Sequence, residues 1–260
     1  GRQKHSDHHA IAFKKSDPNY IMVGTDAGIY ESFDLAQNWH YFLNLPLTQF
    51  YKVAVNNAEP FYHMFGGTQD NGTKYGGTDI GLPENTSMNH LWGGDGVAVG
   101  IGTISSRLQL YFGSQNGNIH AYDDGYRADI KPTGSPTGKD ALFITYFYLD
   151  PDNNDYLYYA GKPTLYKTAT ATTVQPDNER NTNEDGSPIN PVVPWDNAGT
   201  LSTNENLRTF ATTRGAYDVA SSYMLIGGES GGIFRFDDPV NIANLNAAVN
   251  ITPNTATTSG

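Results

Sequence analysis

One glycine-centred pattern recurs along the chain and restricts its fold more than any other feature of the sequence. Two glycines stand four residues apart, an aromatic residue follows nine positions after the first glycine, and an aspartate comes next. The pattern begins at Gly24, Gly113 and Gly227, and looser copies begin at Gly66 and Gly161. The first four lead glycines lie about 42 to 48 residues apart, which is the period of a β-propeller blade. The repeats therefore predict five blades.

Each repeat has the local signals of a strand, a tight turn and a returning strand that runs into the lead glycine. We predict an all-β fold, a β-propeller with about five four-stranded blades, in which the chain 1–260 is a single domain or part of one. The predicted blades cover about residues 5–46, 47–92, 93–138, 139–200 and 201–253. Residues 170–205 are rich in Thr, Asn, Asp and Pro, so they are predicted to form an exposed polar insertion.

Composition limits the partners of such a fold. The 16 Lys and Arg residues against 27 Asp and Glu residues give a net charge of -11, which argues against nucleic acid or an anionic membrane as a partner. The chain has no cysteine, which excludes disulfides, thiolate metal sites and cysteine nucleophiles. No apolar run approaches the ~20 residues of a membrane span. No signal peptide precedes the first predicted strand, so we expect a trimmed N-terminus.

The first repeat continues into a hairpin that resembles the Asp-box of bacterial neuraminidase repeats. Ser32, Asp34 and Trp39 match that motif, while Ala36 and Asn38 replace its Gly and Thr. An aspartate at this position caps its own turn through backbone N–H groups, and the tryptophan packs under the hairpin. We therefore predict a structural role for the aspartate.

Further motifs extend the resemblance. In chain order they are His5–His9, Gly24–Gly28, Leu45–Tyr51, Gly67–Thr73, Trp92–Gly96 and Ser114–Gly117. Over residues 5–125 the chain resembles secreted bacterial BNR-repeat propellers, which are glycosyl-hydrolase-like or sortilin-like and common in Bacteroidetes. The resemblance implies a secreted, extracellular or cell-surface protein. It also implies further blades, either in missing sequence or on a partner chain, so that these five form an arc of a seven- to ten-bladed propeller.

Two histidines and an aspartate near the start have the residue types of a metal site. His5, Asp7 and His9 alternate, so on a strand all three side chains point to one face. Imidazole and carboxylate ligands at that spacing can bind Zn²⁺ or a similar divalent ion. The alternative is a polar strand that lines the central channel, with its histidines hydrogen-bonded to neighbouring loops.

Three aspartates sit among glycines just beyond predicted strands. Asp26, Asp70 and Asp95 can converge on one propeller face as an acid/base pair, as a Ca²⁺ site or as acceptors for sugar hydroxyls. The segment around Asp26 resembles the one that carries a catalytic aspartate in xyloglucanase-type propeller hydrolases, which makes Asp26 and Asp95 the candidate catalytic pair. Alternatively, all three only stabilise β-turns. Calcium is the one cofactor that these residues suggest.

Other residues of the family motifs are candidates for ligand binding. Trp92 can stack on a sugar ring, although packing in the core is an equally good explanation for it. Asp70, Asn71, Gln115 and Asn116 lie in glycine-flanked turns where a backbone can approach a ligand closely.

Two functions follow from these candidates. The first is an extracellular binding or scaffold module that engages polysaccharide or protein through a rim or the central channel. The alternative is a secreted glycoside hydrolase that acts on polysaccharide with an aspartate acid/base pair.

Overall fold

The computed structural model describes most of the chain. The described residues are 7–42, 45, 48–56, 63–77, 88–104, 107–123, 126–173 and 193–253. Within these ranges helix is confined to four single 3-10 turns, at Gly138–Asp140, Ala171–Thr173, Pro239–Asn241 and Leu245–Ala247. None of them is long and apolar enough to cross a membrane.

Twenty strands in the described ranges form five sheets of four strands each. In chain order they are β1 (His8–Lys14), β2 (Asp17–Thr25), β3 (Gly28–Ser32), β4 (His40–Tyr41), β5 (Lys52–Val55), β6 (Met64–Thr68), β7 (Gly72–Gly76), β8 (Asn89–Trp92), β9 (Val99–Ile104), β10 (Arg107–Ser114), β11 (Asn118–Asp123), β12 (Tyr126–Asp129), β13 (Phe147–Leu149), β14 (Leu157–Gly161), β15 (Thr164–Thr168), β16 (Asp196–Thr200), β17 (Leu207–Thr212), β18 (Tyr223–Gly228), β19 (Ile233–Asp237) and β20 (Val249–Asn250). The predicted all-β fold with five four-stranded blades is confirmed.

Every sheet is an antiparallel meander in which sequence order equals spatial order, so β1 to β4 form sheet 1 and β17 to β20 form sheet 5. From sheet 2 onward, the first strands of consecutive sheets contact one another, β5 with β9, β9 with β13 and β13 with β17. Sheets that meet along their first strands fan out around a common axis, which is the radial arrangement of propeller blades.

The core lies between the sheets, because a blade has two apolar faces to bury. Phe65 and Phe112 pack in the cluster between sheets 2 and 3, with ring centroids 6.1 Å apart in a T-shaped arrangement. Tyr111 packs in the cluster that joins sheets 3 and 4, and Tyr158 and Phe234 pack in the cluster that joins sheets 4 and 5. All five rings are at most 1% exposed. Truncation of such a ring to alanine typically costs about 3–5 kcal/mol.

The predicted polar insertion over 170–205 requires a correction at its C-terminal end. The segment contains β16, the outer strand of sheet 4, which pairs with β15. Ala198 and Leu201 are buried in the same core cluster as Phe234. The strand has a single fully buried side chain, and its remaining residues are polar or glycine, so its composition is that of a loop. Residues 174–192 lie outside the described residues.

Antiparallel meanders place the turns of the sheets on two opposite rims. The turns between second and third strands, at 25–28, 68–72, 114–118, 161–164 and 228–233, share the upper rim with the segments that enter each sheet. The remaining turns share the lower rim. Upper-rim turns are also hydrogen-bonded to the segment that enters the next sheet, because Asn116 N–H donates to Phe143 O at 3.0 Å and Leu207 N–H donates to Lys162 O at 3.0 Å.

Candidate functional site

The upper-rim turns of sheets 2 and 3 are built on left-handed backbone. Asp70 has a φ of 61° and Gly72 a φ of 74°, while Asn116 and Gly117 have φ values of 65° and 81°. Glycine adopts this region freely, and Asp and Asn tolerate it better than other residues. The Asp-Asn-Gly and Gln-Asn-Gly sequences are therefore required by the turns, and they leave polar side chains at the rim.

Three glycines let neighbouring backbone segments pack closely around the turn of sheet 2. A Cβ on Gly67 would stand 2.3 Å from Val97 O, one on Gly72 would stand 2.1 Å from Trp92 O, and one on Gly96 would stand 2.3 Å from Gly72 O. All three contacts are with backbone, which has little room to move. Gly67 and Gly96 thus serve backbone packing between sheet 2 and the loop that enters sheet 3, and the contact of Gly72 with Trp92 serves packing within sheet 2.

Asp95 is held at this contact. Its carboxylate accepts the backbone N–H of Asp70 at 2.9 Å, and its own N–H donates to Gln115 Oε1 at 3.1 Å. The residue is 8% exposed. On the side of sheet 1, Asn71 Nδ2 donates to the backbone oxygen of Asp26 at 3.1 Å. Sheets 1, 2 and 3 are therefore connected at the upper rim by side chains that were predicted as candidate site residues.

A cluster of three carboxylates forms where sheets 1 and 2 meet. One carboxylate oxygen from each of Asp7, Asp26 and Asp70 lies within 4.8 Å of the other two. Oxygen ligands at such separations suit a hard cation such as Ca²⁺. His9 also contacts this cluster, because its Nε2 forms a short hydrogen bond with Asp26 Oδ1.

The zinc-type grouping of His5, Asp7 and His9 stays a prediction, and strand alternation does not align the two of these residues that the structure describes. Asp7 has a φ of 60° and precedes β1, so the strand alternation that would align it with His9 begins only at His8. The carboxylate of Asp7 joins the aspartate cluster instead. His5 lies outside the described residues.

The environment of Asp70 favours its protonated form. Partial burial, a hydrogen bond with the Asp26 side chain and the negative charges of Asp95, Asp7 and Asp26 raise the pKa of Asp70 to about 6. A carboxyl group with such a pKa can exchange a proton near neutral pH. The carboxylate that pairs with Asp26 is thus that of Asp70, whereas the Asp95 carboxylate accepts a hydrogen bond from the Asp70 backbone N–H.

The first upper-rim cavity lies over sheets 1 and 2 beside this cluster and has a volume of about 210 Å³. It is lined by His9, Asp26, Gln49, Tyr51, Gln69 and Asn71. Tyr51 is 48% exposed, and its hydroxyl donates to Gln69 Oε1. A phenol ring, amides and carboxylates thus share one small depression.

The second upper-rim cavity is a broader basin over sheets 2 and 3, with a volume of about 620 Å³. Its lining includes Trp92, which is 36% exposed, and Arg127, whose guanidinium carbon lies 3.8 Å from the centre of a Trp92 ring. Arg127 Nη1 donates to Asp129 Oδ1 at 2.7 Å, and the buried His120 bonds to the same oxygen. These two neighbours, His120 first, lower the pKa of Asp129 and keep it ionised. Gln115 and Asn116 complete the predicted residues in this basin.

The structure places the described candidates at one rim, but only some of them line the two cavities. The residues that line neither cavity are Asp7, Asp70 and Asp95. Sequence reasoning missed Tyr51, His120, Arg127 and Asp129 as lining residues. Tyr51 ends a family motif, which was a usable signal. The other three come together through the pairing of His120 with Asp129 and of Tyr122 with Arg127 in adjacent strands, and this register is not visible in the sequence.

Asp34 has the structural role that was predicted for it. Its Oδ1 accepts the backbone N–H of Asn38 and the hydroxyl of Ser32, each at 2.8 Å. These bonds lower the pKa of Asp34 to about 2. Trp39 Nε1 donates to Ala36 O at 3.1 Å, which closes the hairpin from the other side.

Comparison with known proteins places the chain among distant structural neighbours. No protein-family model and no curated protein matches it. It is similar to an ancestral GH74 enzyme, at 13% identity and a TM-score of 0.43, over 89% of this chain and 37% of that one. It is also similar to an auxiliary nutrient binding protein from Bacteroides thetaiotaomicron, at 11% identity and a TM-score of 0.49, over 94% of this chain and 56% of that one.

The chain therefore spans 37% of the first neighbour and 56% of the second. Likeness at such identities concerns the fold and says nothing of activity. The β-propeller assignment rests on the five meander sheets and on the contacts between their first strands.

Proposed function

We propose that this chain is an extracellular or cell-surface carbohydrate-binding propeller module that holds a polysaccharide across its upper rim. The observation that carries the proposal is a pair of cavities over consecutive sheets, each with a partly exposed aromatic ring beside amides and carboxylates. The apolar face of a sugar ring packs on an aromatic ring, and its hydroxyls pair with amides and carboxylates. Tyr51 and Trp92 supply the rings.

A polymer fits this arrangement better than a single sugar. The two cavities are linked through Asp95, which contacts the turn of sheet 2 and the Gln115 side chain of sheet 3. Consecutive residues of one glycan chain can occupy both cavities, and affinity then grows because the second contact is intramolecular.

Hydrolysis is the second candidate function, and the raised pKa of Asp70 is the observation that favours it. A glycosidase needs a proton donor near neutral pH. However, an inverting pair holds its carboxyl groups about 6.5–9.5 Å apart so that a water molecule fits between them. Asp26 and Asp70 have carboxylate oxygens within 4.8 Å and share a hydrogen bond. This spacing disfavours inverting hydrolysis by that pair. Two carboxyl groups joined by a direct hydrogen bond are also closer than the about 5–5.5 Å of a retaining pair, so we rank binding first.

The test is a panel of soluble and insoluble polysaccharides, with retention and new reducing ends measured in parallel. We expect retention by at least one polysaccharide without release of reducing ends. Trp92→Ala and Tyr51→Ala should each weaken affinity about 3- to 10-fold, the range expected when one aromatic contact is lost. The matched control is Tyr217→Ala, which removes a 39% exposed ring from the lower rim.

Release of reducing ends that stops in Asp70→Asn would replace the binding proposal with the hydrolase. Absence of retention across the panel, or equal losses in Tyr217→Ala and Trp92→Ala, would reject the upper rim as a glycan site. Retention on immobilised extracellular proteins but on none of the polysaccharides would make the module a protein binder.

A further inference from the structure

A third cavity lies on the lower rim between sheets 4 and 5, away from both glycan cavities. Its volume is about 410 Å³. Among its lining residues, Pro239 and Ser222 are buried, Tyr156 and Asp150 are half-buried, and Tyr217 is 39% exposed. We call it the interblade cavity, and the proposed glycan function does not use it.

The charge of the interblade cavity is negative. Asp150 Oδ1 accepts the backbone N–H groups of Asp152 and Asn153 at 2.9 and 3.1 Å, and its Oδ2 accepts the Thr212 hydroxyl at 3.0 Å. All of these donors are neutral. No lysine or arginine is found among the described residues that line the cavity.

The two cations nearest to this cavity are already engaged. Arg214 donates two hydrogen bonds to Asp152, at 2.8 and 3.0 Å, so that pair is neutral as a unit. Lys167 Nζ donates to Val240 O at 2.6 Å and lies 3.7 Å from a carboxylate oxygen of Asp196. Arg214 also lies close enough to Asp150 for an electrostatic interaction, but it donates its hydrogen bonds to Asp152. Among the described residues, the Asp150 carboxylate therefore has only neutral hydrogen-bond donors.

The aromatic groups of the cavity are uncharged phenols. Tyr217 donates its hydroxyl to Asp238, and burial together with that bond raises the pKa of Tyr217 to about 12. The hydroxyl of Tyr156 forms no hydrogen bond with any described residue. Phenol faces attract cations, and the attraction grows when the cation is partly desolvated.

A bare metal ion does not suit this arrangement. In the described part of the chain, Asp7, Asp26 and Asp70 form the only group of three or more ligand-type side chains whose oxygens converge closely enough for one ion. The carboxylates of the interblade cavity belong to no such group. Spread negative charge, phenol rings and the apolar surfaces of Pro239 and Val240 instead match a cation that carries carbon.

We infer that the interblade cavity is a binding site for a small organic cation of the ammonium class, separate from the glycan-binding rim. The ammonium group lies by Asp150 and the phenol rings, and its carbon substituents pack on Pro239 and Val240. Such a site gives the module a second ligand class on the opposite rim.

The test uses choline as the probe and 3,3-dimethylbutan-1-ol as its uncharged isostere, with saturation-transfer NMR and calorimetry on the full chain. Choline should bind, and the isostere should bind about 10-fold more weakly or not at all, since it lacks the cation–π and carboxylate attractions. Choline binding should also weaken as salt is added. Equal binding of both probes would overturn the inference. So would the absence of saturation transfer to choline at about 10 mM, a concentration at which weak binding is still detected.

Three variants locate the site. Asp150→Asn should weaken choline binding about 5-fold or more by removing the charge, on the usual scale of such contacts. Val240→Lys should abolish binding, because it places a competing ammonium group in the cavity. The substitution keeps the hydrogen bond at this position, since Lys167 Nζ donates to the backbone oxygen of Val240. Trp92→Ala on the upper rim should leave choline binding unchanged. Unchanged binding in a folded Val240→Lys protein, judged by its melting transition, would place the probe elsewhere and reject the site.

Discussion

The Asp95 carboxylate accepts the backbone N–H of Asp70 at 2.9 Å. The loop that enters sheet 3 thereby holds the 68–72 turn of sheet 2 in place. The bond orients Asp70 toward Asp26 and Asp7, and the negative charge of the Asp95 carboxylate helps to raise the pKa of Asp70. The geometry of the upper rim thus depends on how closely two sheets approach each other.

Gly96→Ala should destabilise the protein and disturb the first upper-rim cavity together. The added Cβ would stand 2.3 Å from Gly72 O and 2.9 Å from Thr68 N, so the loop must move away and loosen the bond from Asp95. We expect a melting temperature lower by several degrees and weaker glycan retention, as is usual for a forced backbone shift. Gly24→Ala is the control for stability loss at a glycine, because Gly24 lies in β2 without a left-handed φ and its Cβ would meet only Ala10 Cβ, at 3.8 Å. Equal stability of Gly96→Ala and wild type would contradict the close packing.

Asp70→Asn should stabilise the protein more at pH 7.5 than at pH 4.5. The folded-state pKa of Asp70 is about 6, above its usual value, so the folded chain keeps a proton that the unfolded chain loses between about pH 4 and pH 6. The contribution of Asp70 to stability therefore falls as pH rises through that window. The Asn side chain of the variant does not titrate, so it removes this dependence of stability on pH. The measurement is the difference in melting temperature between variant and wild type at both pH values, with Asp140→Asn as control. A difference that does not change with pH would refute the raised pKa.

Calcium should raise the melting temperature modestly, and a calcium chelator should reverse the change. A cation held by the ionised carboxylates of Asp7, Asp26 and Asp70 binds the folded state alone and stabilises it. The effect should be smaller at pH 5, where protons compete, and absent in Asp70→Asn. We expect no large shift with zinc chelators, since the close ligand group in the described residues consists of three carboxylates and does not include His9. One equivalent of zinc in protein purified without added ions would disprove that expectation.

Asp34→Ala should lower stability without changing glycan retention. The variant loses the acceptor for Asn38 N–H and for the Ser32 hydroxyl. Because those bonds hold the pKa of Asp34 at about 2, below its usual value, their contribution is present above about pH 4 and fades as pH falls toward 2. The melting curves of variant and wild type should converge at low pH. Loss of retention at unchanged stability would instead place this residue in the binding site.

The repeat predicted the architecture because each blade requires the same local devices. The five lead glycines all lie at or near the end of the second strand of a sheet, so they count the sheets correctly. They are Gly24, Gly66, Gly113, Gly161 and Gly227. Strand β16 escaped prediction because an outer strand with one buried side chain, Ala198, does not need an apolar pattern.

The site was predicted in part for a similar reason. Asp26 and Asp70 follow strand ends, and the topology alone places both on the upper rim. The partnership of Asp7 with them depends on a left-handed backbone before β1, and the Arg127–Asp129 pair depends on strand register. Both are tertiary details that residue spacing does not encode.

The hydrogen bonds that join the upper-rim turns of sheets 1, 2 and 3 limit how the residues of this surface can change in evolution. Asn71 contacts Asp26, Asp95 contacts Asp70, and Gln115 contacts Asp95, so each position constrains the next. Substitutions at such coupled positions are not additive. Homologues that change ligand should therefore alter these turns in concert, and a single residue grafted from one homologue into another should perform worse than the full set of three turns.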